Sequence, residues 1–174
     1  LHYPLRRQRQ MCIRDRFINR GIVRKFLVIM DNSPEFLNAL HYAATRAAKT
    51  GGGVEVLAII TPQDQTHWLG VAEKMREEAR ETIEESFQIY SNWMKDELKL
   101  EAELVIREGE KATEVLNQIS EDKEVGVLVL GANNSSEGPG PLISQLVSRD
   151  GGNLPIPVTI VPGSMTKERI EAVS

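Results

Sequence analysis

From about Arg24 onward, apolar and polar residues recur in two rhythms, one of strands and one of helices. "RKFLVIMD" is a short continuous apolar run, the pattern of a buried strand. In "NSPEFLNALHYAATRAAKTGGG" the apolar positions Phe36, Leu40, Ala43 and Ala47 fall at steps of three or four, forming one face of a helix. Both ends of that helix are marked. Ser33 can cap it, Pro34 suits the first helical position, and Gly51 can take the left-handed conformation that ends a helix. "VEVLAII" predicts a second strand, leading into the loop "TPQDQTHWLG".

A long helix follows, with Val71, Met75, Ala79, Ile83, Phe87, Tyr90, Met94 and Leu98 along one face and Glu, Lys and Arg on the others. At roughly 1.5 Å per residue it would run for about 40 Å, long enough for one end to overhang or kink. "LEAELVIRE" sets Ala102, Leu104 and Ile106 against charges, as a half-exposed edge strand does. "GEKATEVLNQISEDK" reads as a short helix, "VGVLVLGA" as a mid-sheet strand and "GPLISQLVS" as a brief helix. "LPIPVTIVPG" reads as a last strand, held to an edge or a special pairing by Pro157, and "SMTKERIEAVS" as a polar, frayed tail.

The elements alternate strand and helix with neither repeat nor linker. That predicts an α/β fold, one doubly wound parallel sheet with helices on both faces. Residues 1–23 stand outside it as a basic extension without periodicity, 24–163 form the domain and 164–174 the tail. Such sheets bind ligands beyond the carboxyl ends of their strands, where strand order reverses. The loops to watch are Asp31-Asn32-Ser33-Pro34 after the first strand and "GANNSSEGPGP" after the fourth.

Composition narrows the class. The 174 residues are 41% hydrophobic and 26% charged, as suits one soluble domain. No apolar run approaches the roughly 20 residues that span a bilayer. One cysteine, Cys12, allows no internal disulfide, and with no visible signal peptide the expected compartment is the cytoplasm. Residues 1–20 hold six arginines and one aspartate, leaving 15 basic against 24 acidic residues in the rest of the chain. An acidic body argues against nucleic acid as a partner. The opening segment reads as a disordered or non-native extension, since "MCIRDR" resembles translated adapter read-through; the alternative is a basic arm or targeting peptide.

No familiar catalytic motif is present. The phosphate-binding "GXXXXGK[ST]" is absent, and "MDNSPE" lacks the glycines of a dinucleotide fingerprint. A phospho-acceptor domain is excluded by Arg107 and Glu108, which stand where an aspartate would follow the third strand. His41 and His67 have no spaced nucleophile and read as structural, and Trp68 as a loop anchor. Asp31 has two readings: it, or Asn32, caps the first helix, or it accepts hydrogen bonds from a ribose or a base amine. The fourth-strand loop also has two. Gly131, Asn133, Asn134, Ser135, Ser136, Gly138 and Gly140, ahead of a helix N-terminus, could hold phosphate on backbone amides, or form an ordinary loop. Glu137 would repel phosphate there unless it points away.

The chain resembles the universal stress protein family over about Arg24 to Gly163. The resemblance rests on the strand ending in Asp31 with "NSPEFLNAL", on "GVLVLGA" and its loop, and on the closing "PVTIV". It implies a five-stranded parallel sheet of order 3-2-1-4-5, in the adenine-nucleotide alpha-hydrolase-like group, and a homodimer formed through the last strand, about Ile156 to Val161. It also implies a site for ATP or another adenine nucleotide. Asp31, Asn32 and Ser33 would lie on the base and ribose side, main chain near Ile60 on the adenine, and the Gly131–Ser136 backbone near the phosphates. The family's Gly-x-x-Gly, nine residues, Gly-Ser/Thr motif falls on Gly131, Asn134, Ser144 and Gln145, a match at one position in four.

Three functions are therefore in play: a cytoplasmic stress protein binding adenine nucleotide as a regulatory ligand, a dimeric interaction module that has lost such binding, and an ATP hydrolase. The last would want a metal site and a water-activating residue, and neither stands out as a constellation.

Overall fold

The computed structural model describes residues 24–62, 69–134, 138–150 and 153–174. The elements are β1 (Lys25–Met30), α1 (Pro34–Thr50), β2 (Gly53–Ile60), α2 (Leu69–Leu98), β3 (Ala102–Glu108), α3 (Lys111–Glu121), β4 (Val125–Ala132), α4 (Pro141–Asp150), β5 (Val158–Pro162) and α5 (Lys167–Val173). The five strands form one parallel sheet in the order β3-β2-β1-β4-β5.

Strand alternation divides the core in two. Val28 and Met30 of β1 face one way, onto Phe36, Leu40 and Ala43 of α1 and Met94 of α2. Leu27 and Ile29 face the other, onto Val115 and Ile119 of α3 and Ile143 and Leu146 of α4. Residues of β1 and β4 such as Val28, Val129 and Leu128 are wholly inaccessible, which explains their unbroken apolar sequence.

Helix α1 begins and ends as its sequence requires. Ser33 Oγ accepts the Phe36 amide at 3.2 Å, Pro34 follows, and Gly51 closes the helix at φ 71° with its N–H on the Ala47 carbonyl. Helix α2 spans 30 residues, about 45 Å at 1.5 Å rise; its C-terminal half packs on the core, while Arg76 and Arg80 reach Glu108 at the end of β3. Val71 and Met75, in phase with the apolar stripe, are 52% and 41% exposed because that end overhangs.

The segment expected to fray does not. Thr166 caps α5 and Ile170 is buried, while Lys49 Nζ donates to the main-chain oxygens of Glu171 (2.8 Å) and Ser174 (3.0 Å). Asn38 of α1 also donates to the carbonyls of Pro162, Gly163 and Met165, tying β5 and its exit to α1.

At the opposite end from the strands' C-termini, Lys25 gathers four acids: Glu103 (2.7 Å), Asp122 (2.9 Å), Glu124 (3.3 Å) and Glu55 (3.4 Å). Glu55 sits inside β2 and is buried, with Gln118 donating to its second oxygen at 2.7 Å. Burial pushes the Glu55 carboxyl up, against the pull of Gln118 and Lys25. Burial would lower Lys25, but its hydrogen bonds to Glu103, Asp122 and Glu124 outweigh that and raise it.

Candidate functional site

The strand order reverses between β1 and β4, which lie side by side and lead into the two loops singled out above. Beyond their C-terminal ends is a cavity of about 330 Å³. Asp31 and Ser33 line it from the β1 loop, Glu35 and Phe36 from α1, and Thr61 from the end of β2. Glu110 and Lys111 close one side at the start of α3. Gly131 and Asn133 from β4, with Gly140, Leu142 and Gln145 around the start of α4, close the other.

Asp31 is held in place by its own loop. Its Oδ1 accepts both the Ser33 amide (3.1 Å) and the Ser33 hydroxyl (2.7 Å), and Ser33 Oγ in turn caps α1. Asn32 takes φ 60° to make this turn. Ser33, rather than Asp31 or Asn32, is the cap, and Asp31 orients it. Both bonds fall on Oδ1. Asn32 itself lines an adjoining recess of about 210 Å³ with Asp31, Thr61 and Lys111.

Gly131 lines the cavity for a reason the sequence did not suggest. A Cβ there would stand 2.3 Å from the Glu35 carbonyl oxygen, so the glycine is required by the close approach of α1 to β4. Its neighbour loop is pinned by the Asn133 amide donating to the Pro139 carbonyl at 3.1 Å. Gly138 and Gly140 take φ 111° and 114°, turning the chain into α4, whose first helical bond runs from Ser144 N–H to Gly140 O.

Other expected contacts fall elsewhere. Ile60 is directed into a separate recess of about 130 Å³ with Met75, Arg76 and Glu108, and its carbonyl already accepts the Gly109 amide at 3.0 Å. Thr61, one residue on, is the β2 residue that reaches the cavity. Asn134, Gly138 and Ser144 do not line it, and Ser135 and Ser136 lie outside the described residues, as do His67 and Trp68. At the motif's hydroxyl position, Gln145 does line the cavity and donates to Glu110 Oε1 at 3.0 Å.

Glu110 was not foreseen, although an acid just before "KATEV" is a helix-start signal. Its carboxylate caps α3 by accepting the Ala112 amide (3.2 Å), the Thr113 amide (2.8 Å) and the Thr113 hydroxyl (2.6 Å). These bonds, Thr113's foremost, hold its pKa down to about 2, so it is ionised under all ordinary conditions. Among the described residues, the lining therefore carries three acids, Asp31, Glu35 and Glu110, against Lys111. Among the described residues, no three His, Cys, Asp or Glu side chains are placed to hold a metal ion, and no helix is long and apolar enough to cross a membrane. His41 is engaged elsewhere, 3.3 Å from Glu171 and 5.3 Å between ring centres from Trp93.

Residues 23–162 match the model of the universal stress protein family. Among solved structures, the chain is similar to the universal stress protein UspA from Lactobacillus plantarum, at 15% identity and TM-score 0.68 over 80% of this chain and 97% of that one. A universal stress protein solved in complex with cAMP matches at 15% identity and TM-score 0.55, over 83% of this chain and 100% of its own. A family protein from Arabidopsis thaliana with AMP bound matches at 15% identity and TM-score 0.52, over 80% of this chain and 91% of its own. At such identities these likenesses speak for the fold alone. No curated protein sequence matches the chain. With a family model matched from the first strand to the last, the chain belongs to the universal stress protein family.

Proposed function

We propose that this universal stress protein binds an adenine nucleotide as a regulatory ligand, in the cavity between the β1 and β4 loops, without hydrolysing it. The observation that carries this reading is the cavity at the strand-order reversal. It holds a preoriented Asp31 at one wall and the first turn of α4 at another. Its volume of about 330 Å³ lies at the lower end of small-molecule sites, which run roughly 300–1,000 Å³. An anchored carboxylate suits a ribose hydroxyl or base amine, and the first-turn amides of a helix lack partners within the helix. Two fold neighbours carry AMP and cAMP, which supports the ligand class. The absence of hydrolysis rests on the lining chemistry, which pairs no general base with a phosphate-clamping cation set. The cytoplasm is the proposed compartment.

The test is the nucleotide content of protein purified without added ligand, followed by calorimetric titration. Near one adenine nucleotide per chain, and marked weakening in Asp31→Ala at unchanged thermal stability, are expected. An empty protein whose melting is unmoved by adenine compounds would sink the reading.

A second reading, a dimeric interaction module, is favoured by β5. This short edge strand exposes Ile160 (44%) beside buried Val161, and edges of that kind invite a partner strand. Ile160→Lys should then convert a dimer to a monomer in sedimentation. A wild-type monomer at all concentrations rejects it.

A further inference from the structure

Building on the nucleotide reading, we infer that this cavity takes an adenine nucleoside or nucleoside monophosphate and rejects the triphosphate, because Glu110 and Glu35 stand where further phosphates would have to go. Asp31 lies at the β1 wall, so the phosphate end of the ligand is directed toward α3, α4 and the α1 turn. There the walls present Glu35, Glu110 and Gln145, with Lys111 as the cation among the described lining residues.

Glu110 cannot swing aside at low cost. Its two oxygens are tied to Ala112, Thr113 and Gln145, on two helices, so the charge is fixed in the wall. Glu35 lines the same cavity from the first turn of α1, whose backbone packs closely on Gly131. Gln145 lines the same wall, and its side-chain amide is spent on Glu110. One lysine offsets about half the charge of a monophosphate, which is close to −2 at neutral pH. Each added phosphate brings at least one more negative charge toward the fixed Glu110 carboxylate and toward Glu35, and like charges repel. A nucleoside avoids that repulsion, and a monophosphate meets the least of it among the nucleotides.

The experiment is calorimetric titration of the full chain with adenosine, AMP, ADP and ATP, in chelator at low salt so that no divalent ion masks phosphate charge. The readout is the ratio of the ATP to the adenosine dissociation constant. A ratio of at least about tenfold is expected in the wild type, falling severalfold in Glu110→Gln and, independently, in Glu35→Gln. Raising ionic strength to about 0.5 M should shrink the wild-type ratio as well, since salt screens repulsion. ATP binding as tightly as adenosine or AMP overturns this preference and leaves the nucleotide reading standing. A large ratio that survives both substitutions in folded protein overturns the assignment to these carboxylates. Failure of all four compounds to bind removes the nucleotide reading, and the preference with it.

Discussion

Gln145 of α4 donates to Glu110 at the start of α3 across 3.0 Å, so two helices on one face of the sheet are joined at the rim of the cavity. The contact is between residues 35 apart in sequence, each half of it on a different crossover. It makes Glu110 both a helix cap and a wall of the site.

Replacing Glu110 by Ala should therefore cost about 1 kcal/mol through loss of the α3 cap, read by denaturant unfolding. The same group has a pH signature. Its folded pKa, about 2, is depressed below the usual 4.5, so its contribution is present above pH 4.5 and is lost as pH falls toward 2. In acid titration, wild type and Glu110→Ala should converge in stability across that window. Parallel curves would remove Glu110 as the cause.

Gly131→Ala should destabilise by about 1–3 kcal/mol, because the added methyl meets the Glu35 carbonyl oxygen at 2.3 Å and backbone must shift. A folded, equally stable Gly131→Ala protein would show that α1 can retreat, and that the glycine is there for another reason.

Ile170→Ala should cost about 2 kcal/mol, at the lower end for a buried isoleucine because α5 lies at the periphery. Removing residues 164–174 should do at least as much, by stripping the Lys49 contacts too. Thermal unfolding of both variants decides it, and an unchanged midpoint would mean that the tail is dispensable after all.

Lys25→Met should destabilise by about 3 kcal/mol, since it leaves the buried Glu55 carboxyl short of its cation. Adding Glu55→Gln should regain much of that loss, because Gln118 can still bond the neutral amide. Chemical denaturation of the two single variants and the double variant measures this coupling, and simple additivity would contradict it.

Where the winding was legible, local chemistry made it so. The unbroken apolar run of β1, the period of α1 and its Ser33, Pro34 and Gly51 signals each depend on neighbours in sequence, and each stands where expected. The length of α2 implied an overhang, but the exposed Val71 and Met75 keep the apolar phase, because a periodic stripe marks a face without saying how far a partner extends beneath it. The tail was misread for a related reason: its docking depends on Lys49 and Asn38, more than 120 residues away in sequence.

The succession of strands and helices, their caps and the two loops at the reversal were written in the order of residues, since periodicity and capping act over a few positions. Which atoms line the cavity was settled by packing between distant segments. Thr61 replaces Ile60 because Gly109 takes the Ile60 carbonyl, Gly131 is small to admit α1, and Glu110 meets Gln145 only once two crossovers land on one face. Contacts of that kind follow from the path of the backbone through space, which no local pattern encodes.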